Sequence, residues 1–184
     1  SKKYSQKYSK GKVKSKIKIE KCKKNEKGTE IIFIPDETIF ETIKFSPKKL
    51  YDFIKMKAVL VSGTSLDFKI DKELIVDSTP SYEKFYFKNG IADYLDIKNK
   101  NSAKLFDKQF SIVNKINDTE KCEIFISFNK SEKSSLLSFC NTIETPDGGS
   151  HENSFKNGIV KAIKLYGQKN QVSKISNINI NDLT

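Results

Sequence analysis

The stretch Cys140-Asn-Thr-Ile-Glu-Thr-Pro-Asp-Gly-Gly-Ser-His-Glu-Asn-Ser-Phe-Lys156 separates two kinds of hydrophobic pattern. Ahead of it apolar residues alternate. Cys122, Ile124, Ile126 and Phe128 fall on one face of a strand. Behind it the period becomes helical. On a wheel drawn at about 100° per residue, Phe155, Ile159, Ala162, Ile163 and Tyr166 cluster on one side. Lys161 and Lys164 fall on the opposite side, and Lys156 lies at the flank. Pro146-Asp147-Gly148-Gly149 breaks the chain between the two patterns, and Ser150 is placed to cap a helix running to about Tyr166.

Upstream, strands at 109–116, 121–128 and 134–141 make an expected meander, with turns at Asn117-Asp118 and Asn129-Lys130-Ser131. Lys98 to Ala103 is polar and reads as the best internal boundary. Asn89-Gly90 begins a helix carrying Ile91, Tyr94 and Leu95, after a short strand at 83–87. Leu66, Phe68 and Ile70 alternate through another strand. Ser46-Pro47 opens an amphipathic helix over 47–59, whose Leu50, Phe53, Ile54 and Ala58 share a face, and Gly63 closes that region. Thr29 to Ile34 is a β-branched run stopped by Pro35-Asp36, so a buried strand is expected there. In the first thirty residues Tyr4, Tyr8, Val13, Ile17 and Ile19 lie among lysines, as in an exposed hairpin. No period of 20–50 residues repeats. The class is α+β, mostly antiparallel strands with three helices.

With 184 residues, 36% hydrophobic and 31% charged, the chain is neither a membrane span nor a disordered acidic tail. No run approaches the ~20 apolar residues of a transmembrane helix, so no membrane partner is expected. All 34 basic residues are lysine, and isoleucine (22) and asparagine (14) far outnumber alanine (4). That profile reads as an AT-rich genome's codon bias. The formal charge of +11 is unevenly placed. Residues 1–28 hold 12 lysines against Glu20 and Glu26, whereas the rest holds 22 lysines against 21 acids. The basic block fits an anionic partner such as nucleic acid, or a solvated lysine-rich hairpin. Without arginine forks, any phosphate contact is a lysine point charge that reads no sequence.

Cys22, Cys122 and Cys140 are too dispersed for a redox or zinc motif, so buried free thiols and a reducing, cytoplasmic compartment are expected. The single histidine, His151, leaves no usual zinc ligand set. No nucleophile or carboxylate stands at a readable spacing from it, so no catalytic residue is expected.

The 140–156 block resembles the signature N-T/N-I-x-T-x-x-G-G-T-H-x-x-G-F-R of the ATPase subunits of bacterial type IIA topoisomerases, gyrase B and topoisomerase IV B. Gly28-Thr29 to Asp36 looks like the family's G-T-x-V-x-F-x-P-D segment, and Glu41 to Gly63 looks like its following helix. Phe85 to Leu95 (F-Y-F-K-N-G-I-A-D-Y-L) is similar to F-x-F-x-G-G-L-A-D-Y-L of the topoisomerase IV branch. The C-N-T-I wording leans the same way, with gyrase B as the alternative. A different class, a small basic β-rich nucleic-acid-binding module, would rest on the lysine block with Tyr4 and Tyr8 interleaved. It lacks the G-F-G-F and G-x-x-G signatures of the common RNA-binding folds.

The resemblance implies a middle slice of a longer protein, as the opening at Ser1 rather than Met also suggests. Residues 1–88 would end a GHKL-type ATPase α/β sandwich, and 89–184 would begin a transducer domain of the ribosomal-S5-domain-2-like fold. It implies ATP and Mg2+ as cofactors of the parent, and as partners double-stranded DNA, the A subunit in a heterotetramer, and a second copy of the ATPase subunit on ATP binding. The family's E-x-x-D-N helix, ATP lid and Q-T-K loop are not in these residues, so this stretch alone is expected to hold no cofactor and to be inactive. Thr29 matches a threonine that helps hold the adenine, and Ile31 a wall of that pocket. Lys156 and Lys161 stand at arginines facing the DNA cavity. Gly148, Gly149, Ser150 and His151 match the motif loop, with His151 holding the loop and helix start. Ser150 replaces threonine and Ser154 replaces glycine.

Overall fold

The computed structural model describes residues 1–130 and 134–183, as two compact units, 1–46 and 47–184. In the first, β1 (Lys2–Ser5) pairs antiparallel with β4 (Lys18–Lys21), and β2 (Tyr8–Ser9) with β3 (Lys12–Val13). Lys10 (φ 49°) and Gly11 (φ 74°) turn the tip. A two-residue hairpin turn that matches strand twist needs positive φ at both positions. This is the exposed hairpin expected from the lysine-rich alternation. Thr29 to Ile34, by contrast, is not a strand: it pairs with nothing, and Ile31, Ile32 and Ile34 are 81%, 85% and 86% exposed. β propensity alone does not hold a strand, because an unpaired run leaves its amide ladder to water. Phe33 instead meets Phe45 edge to face at 5.9 Å, beside a cavity of about 390 Å³ lined by Ile34, Phe40 and Ile43.

The second unit is organised by α1 (Pro47–Leu60), laid on the hairpin of β5 (Ser65–Lys69) and β6 (Tyr82–Tyr86). Their register sets Leu66 opposite Phe85 and Phe68 opposite Glu83. Ala58, Val59, Phe68, Phe85 and Phe87 form the buried core, with Leu50, Ile54 and Met56 half-buried around it. Burial of each Phe or Val contributes about 1.5–3 kcal/mol. Tyr51 stands edge-on to Phe68 at 5.5 Å and to Phe85 at 5.1 Å, and donates its hydroxyl to Glu83 at 2.6 Å. Desolvation, and then that carboxylate, push the Tyr51 phenol up to about 12.

Gly90, at φ 59°, opens α2 (Ile91–Lys98) where Val59 O and Ser62 Cβ leave 2.9 and 3.0 Å for any Cβ. The polar stretch 98–103 is ordered. It is the C-terminal end of α2 and the following turn, where buried Asn99 accepts from Asn129 Nδ2 at 3.2 Å.

β7 (Phe110–Lys115) and β8 (Lys121–Ile126) form the expected first hairpin of the meander. Phe106, Phe110 and Phe128 stack edge to face on one another at 5.7–5.8 Å. The third strand departs from expectation. Residues 134–138 are irregular, residues 131–133 of the expected turn and strand approach lie outside the described residues, and β9 (Phe139–Cys140) pairs forward with β10 (Ile143–Glu144). Asn141 (φ 48°) and Thr142 (φ 67°) both adopt positive φ, which closes a two-residue hairpin locally in place of pairing with β8.

α3 (Ser150–Lys169) follows the glycine pair and runs about a turn past the expected end. Phe155, Ile159 and Ile163 are half-buried as the wheel requires, but Ala162 and Tyr166 are exposed. The face packed hardest is Val160, Lys164 and Gly167, against the 3₁₀ turns at Ile175–Asn177 and Ile180–Leu183. Lys164, expected on the solvated back, is half-buried and lines a cavity with Val160 and Ile180. A Cβ at buried Gly167 would stand 2.4 Å from Ile175 Cδ1.

Candidate functional site

The site is built where β9, β10 and the first turn of α3 meet. Thr145-Pro146-Asp147-Gly148 turns the chain, with Gly148 N–H donating to Thr145 O at 2.9 Å. Both glycines have a steric reason. Gly148 takes φ 72°, and its Cβ would lie 3.2 Å from Glu152 Oε2. At Gly149 a Cβ would come within 2.9 Å of the His151 ring. Gly149, not Ser150, occupies the N-cap position, and Ser150 is the first helical residue. The expected Ser150 cap is therefore replaced: the acidic residue in the first turn, Glu152, lies near the positive end of the helix dipole.

A chain of side chains crosses this loop. His151 Nε2 lies 3.2 Å from Thr145 Oγ1, Thr145 Oγ1 lies 2.5 Å from Ser138 Oγ, and Ser138 Oγ donates to Glu152 Oε1. Each hydroxyl carries one proton. With Ser138 donating to the carboxylate, the one Thr145 proton goes to Ser138, shared between its Oγ and its carbonyl oxygen at 3.0 Å, and Thr145 Oγ1 is left to accept from His151 Nε2–H. The relay ends on Glu152, whose side chain is 17% exposed and lies 3.9 Å from Lys156 Nζ. Such a network, with every member partnered, fixes a loop conformation.

The hairpin ahead of the loop is held from a distance. Lys57 of α1 donates to Thr142 O at 2.6 Å and to Thr142 Oγ1 at 3.2 Å, with its ammonium 5.1 Å from the Phe53 ring centroid. A non-glycine residue at positive φ costs of order 1–3 kcal/mol unless its surroundings hold it, and Lys57 holds Thr142.

Of the residues singled out from sequence, Gly148, Gly149, Ser150 and His151 come together in this loop. Lys156 and Lys161 lie on α3 beyond it. Lys156 is 24% exposed and tied to Glu152, whereas Lys161 is exposed and has no ion-pair partner among the described residues. Thr29 and Ile31 belong to the irregular, exposed segment of the first unit. They enclose nothing by themselves, and among the described residues no group of three or more His, Cys, Asp or Glu side chains gathers to hold a metal. The three cysteines are free thiols, with Cys22 and Cys122 half-buried and Cys140 exposed rather than buried, because β9 is paired on one edge only. Among the described residues no helix is long and apolar enough to cross a membrane.

The family model described as DNA gyrase B matches residues 90–184, just over half the chain and the whole of this loop and helix. The chain belongs to the DNA gyrase B family. Within it, the B subunit of DNA topoisomerase 4 from Rickettsia felis is 35% identical over 183 residues, which cover 98% of this chain and 28% of that protein. The corresponding topoisomerase 4 protein of Mycoplasma pneumoniae is 36% identical over 162 residues, 86% of this chain and 24% of its own length. The chain thus spans about a quarter of the length of the curated relatives it matches. Among solved structures, the 43K ATPase domain of Thermus thermophilus gyrase B, in complex with an aminocoumarin, superposes with a TM-score of 0.70 at 26% identity, over 91% of this chain and 44% of that one. The B-subunit of the DNA gyrase from Myxococcus xanthus superposes with a TM-score of 0.68 over 86% of this chain and 45% of its own. At 17% identity that likeness is one of fold alone.

Sequence reasoning missed Ser138, Thr145, Glu152, Lys57 and Thr142. Glu152 and Lys156 carried a signal, an i, i+4 acid–base pair at a helix start. Lys57 and Thr142 carried none, being 85 residues apart.

Proposed function

We propose that this chain is a segment of the ATPase subunit of a topoisomerase IV-like type IIA DNA topoisomerase. The parent couples ATP binding and hydrolysis to closure of a DNA clamp and passage of a duplex. The observation that carries the reading is the 35% identity to the Rickettsia topoisomerase 4 protein over nearly the whole chain. The gyrase B reading stands second, favoured by the fold likeness to the Thermus gyrase B ATPase domain.

On this reading residues 1–88 belong to the end of the GHKL-type ATPase domain and 89–184 to the start of the transducer. Thr29 and Ile31 contribute to the nucleotide pocket when the rest of that domain, ATP and Mg2+ are present. Gly148, Gly149, Ser150 and His151 form a structural loop, and the donor order ending on Glu152 supports His151 as a holder of that loop rather than an acid or base. Lys156 and Lys161 face the cavity for the transported duplex. Lys161 offers the freer charge, since Lys156 shares its own with Glu152. The partners are double-stranded DNA, the A subunit in a heterotetramer and a second copy of the ATPase subunit, and the setting is cytoplasmic, without a membrane.

The test is a strand-passage assay on interlinked duplex circles, using the full-length protein that contains this chain together with its A subunit. The wild type is expected to unlink circles only with ATP and Mg2+. The Lys156→Gln/Lys161→Gln variant should lose most of its DNA-stimulated turnover while keeping basal turnover. Glutamine is the better replacement at 156, because a glutamate there would set a second carboxylate beside Glu152. Unlinking without ATP, or none at all, overturns the reading. Introduction of negative supercoils turns it to gyrase B.

A further inference from the structure

The first unit carries a charged surface that the reading above leaves without a role. We infer that the lysine-rich hairpin of β1–β4 is a second DNA-contacting element, one that grips the phosphate backbone of a duplex without reading its sequence.

Four observations carry this. The first is an internal control. Codon bias acts on a whole chain, yet residues 1–28 hold 12 lysines against two glutamates while the remainder holds 22 lysines against 21 acids. The second is geometry. The register places Lys2 directly across from Lys21 on the face shared by Tyr4 and Ile19, whereas the other face sets Lys3 opposite Glu20 and Ser5 opposite Lys18, with both of its lysines ion-paired. At the tip Ser9 and Lys12 share one face, Tyr8 and Val13 the opposite one. Like charges directly opposite destabilise a ribbon, so the Lys2–Lys21 rung is a cost in the free chain and a gain beside an anion. Third, these charges are mostly unneutralised. The ion pairs are Lys3–Glu30 at 3.5 Å, Lys10–Asp36 at 3.6 Å and Lys18–Glu20 at 2.8 Å. The other nine lysines of residues 1–28 have no ion-pair partner among the described residues. Fourth, every strand residue of the hairpin is exposed, on both faces.

The two-stranded shape of the element bears on the kind of nucleic acid. A single strand is held along one groove, with bases stacked on aromatics. A two-stranded ribbon about 5 Å across between its strands fits a major groove about 12 Å wide, where backbone phosphates flank both sides. Point-charge ammonium groups in place of guanidinium forks set attraction without base discrimination.

The experiment measures binding of the complete 184-residue chain to a labelled duplex of arbitrary sequence, by fluorescence anisotropy, between about 50 and 200 mM salt. The test variant replaces Lys2, Lys12, Lys14 and Lys21 with glutamine. A second carries arginine at the same four positions, and a third is Lys156→Gln/Lys161→Gln. The wild type should bind two unrelated duplexes alike. The glutamine variant should flatten the slope of log affinity against log salt by about 0.9 for each lysine in contact, up to about 3.6. The arginine variant should retain the wild-type slope, which separates loss of charge from loss of fold. A glutamine variant with wild-type slope and affinity overturns the proposal. So does a loss confined to the third variant, and so does tighter binding of the single strand than of the duplex. Binding is read on this chain directly, so failure of the topoisomerase reading in the strand-passage assay leaves this outcome unchanged.

Discussion

Residues 29–34 (Thr-Glu-Ile-Ile-Phe-Ile) and 82–86 (Tyr-Glu-Lys-Phe-Tyr) are both short β-prone runs, and the first is the more apolar. Yet it is the second that forms a strand. β6 has a ladder partner in β5 and a helix over one face, so Phe85 is 3% exposed, whereas the isoleucines of 29–34 are open to water. The difference does not lie in side-chain preference. Hydrogen-bonding groups on an edge are satisfied by water at little cost, and apolar area contributes only when something covers it. A strand is a property of a pair of segments plus a cover, and the weaker run has both.

The comparison breaks most easily at its buried end. Phe85→Ala is expected to lower unfolding free energy by about 3–5 kcal/mol, and Ile34→Ala by less than ~0.5 kcal/mol, in urea titrations of the same chain. Comparable losses would mean that 29–34 is covered after all. Next come the two glycines near these regions. Gly90→Ala meets both a positive φ and the Val59 carbonyl, and should cost about 1–3 kcal/mol. Gly28 (φ 146°) has no atom within 4 Å of its would-be Cβ, so Gly28→Ala meets backbone strain alone and should lower the melting temperature less. Equal shifts would remove packing from the account. A third contrast, narrower than that between Phe85 and Ile34, is at Tyr51. Tyr51→Phe should cost about 1–2 kcal/mol at neutral pH by removing the bond to Glu83. Because burial and Glu83 raise the folded phenol from 10.0 to about 12, the wild-type advantage is complete below pH 10 and shrinks as pH rises toward about 12. A gap that stays constant across that window would show that the phenol titrates alike folded and unfolded.

Where local period decides, the sequence was legible. Leu50, Phe53, Ile54 and Ala58 announce α1, Ile91, Tyr94 and Leu95 announce α2, and the lysine-laced alternation announces the first hairpin. Where the outcome depends on a distant partner, it was not. The 29–34 run looked like a strand because period and branching say nothing of who pairs with it. In the 98–103 turn, polar composition does not reveal that Asn99 is buried and bonded to Asn129. Lys164 looked solvated because a wheel cannot see the turns that fold back on α3. In the site, Gly148, Gly149 and His151 were legible as one contiguous motif. Thr145 is a fixed position of that motif, whereas Ser138 reaches it through space, from the far side of β9 and β10, with no spacing rule to mark it.

The clasp between Lys57 and Thr142 also has a history in time. At about 5–20 residues per second of synthesis, the 85 residues between them take roughly 4–17 s to emerge. β5 and β6 are made within that interval, so α1 has its hairpin to lie on before Thr142 emerges, with the Phe53 ring of the same helix beside the Lys57 ammonium. The hairpin of β9 and β10 therefore arrives at a helix that is already in place. Its left-handed Thr142 meets the lysine only then, so one anchor of the motif loop comes late and from outside its own sequence.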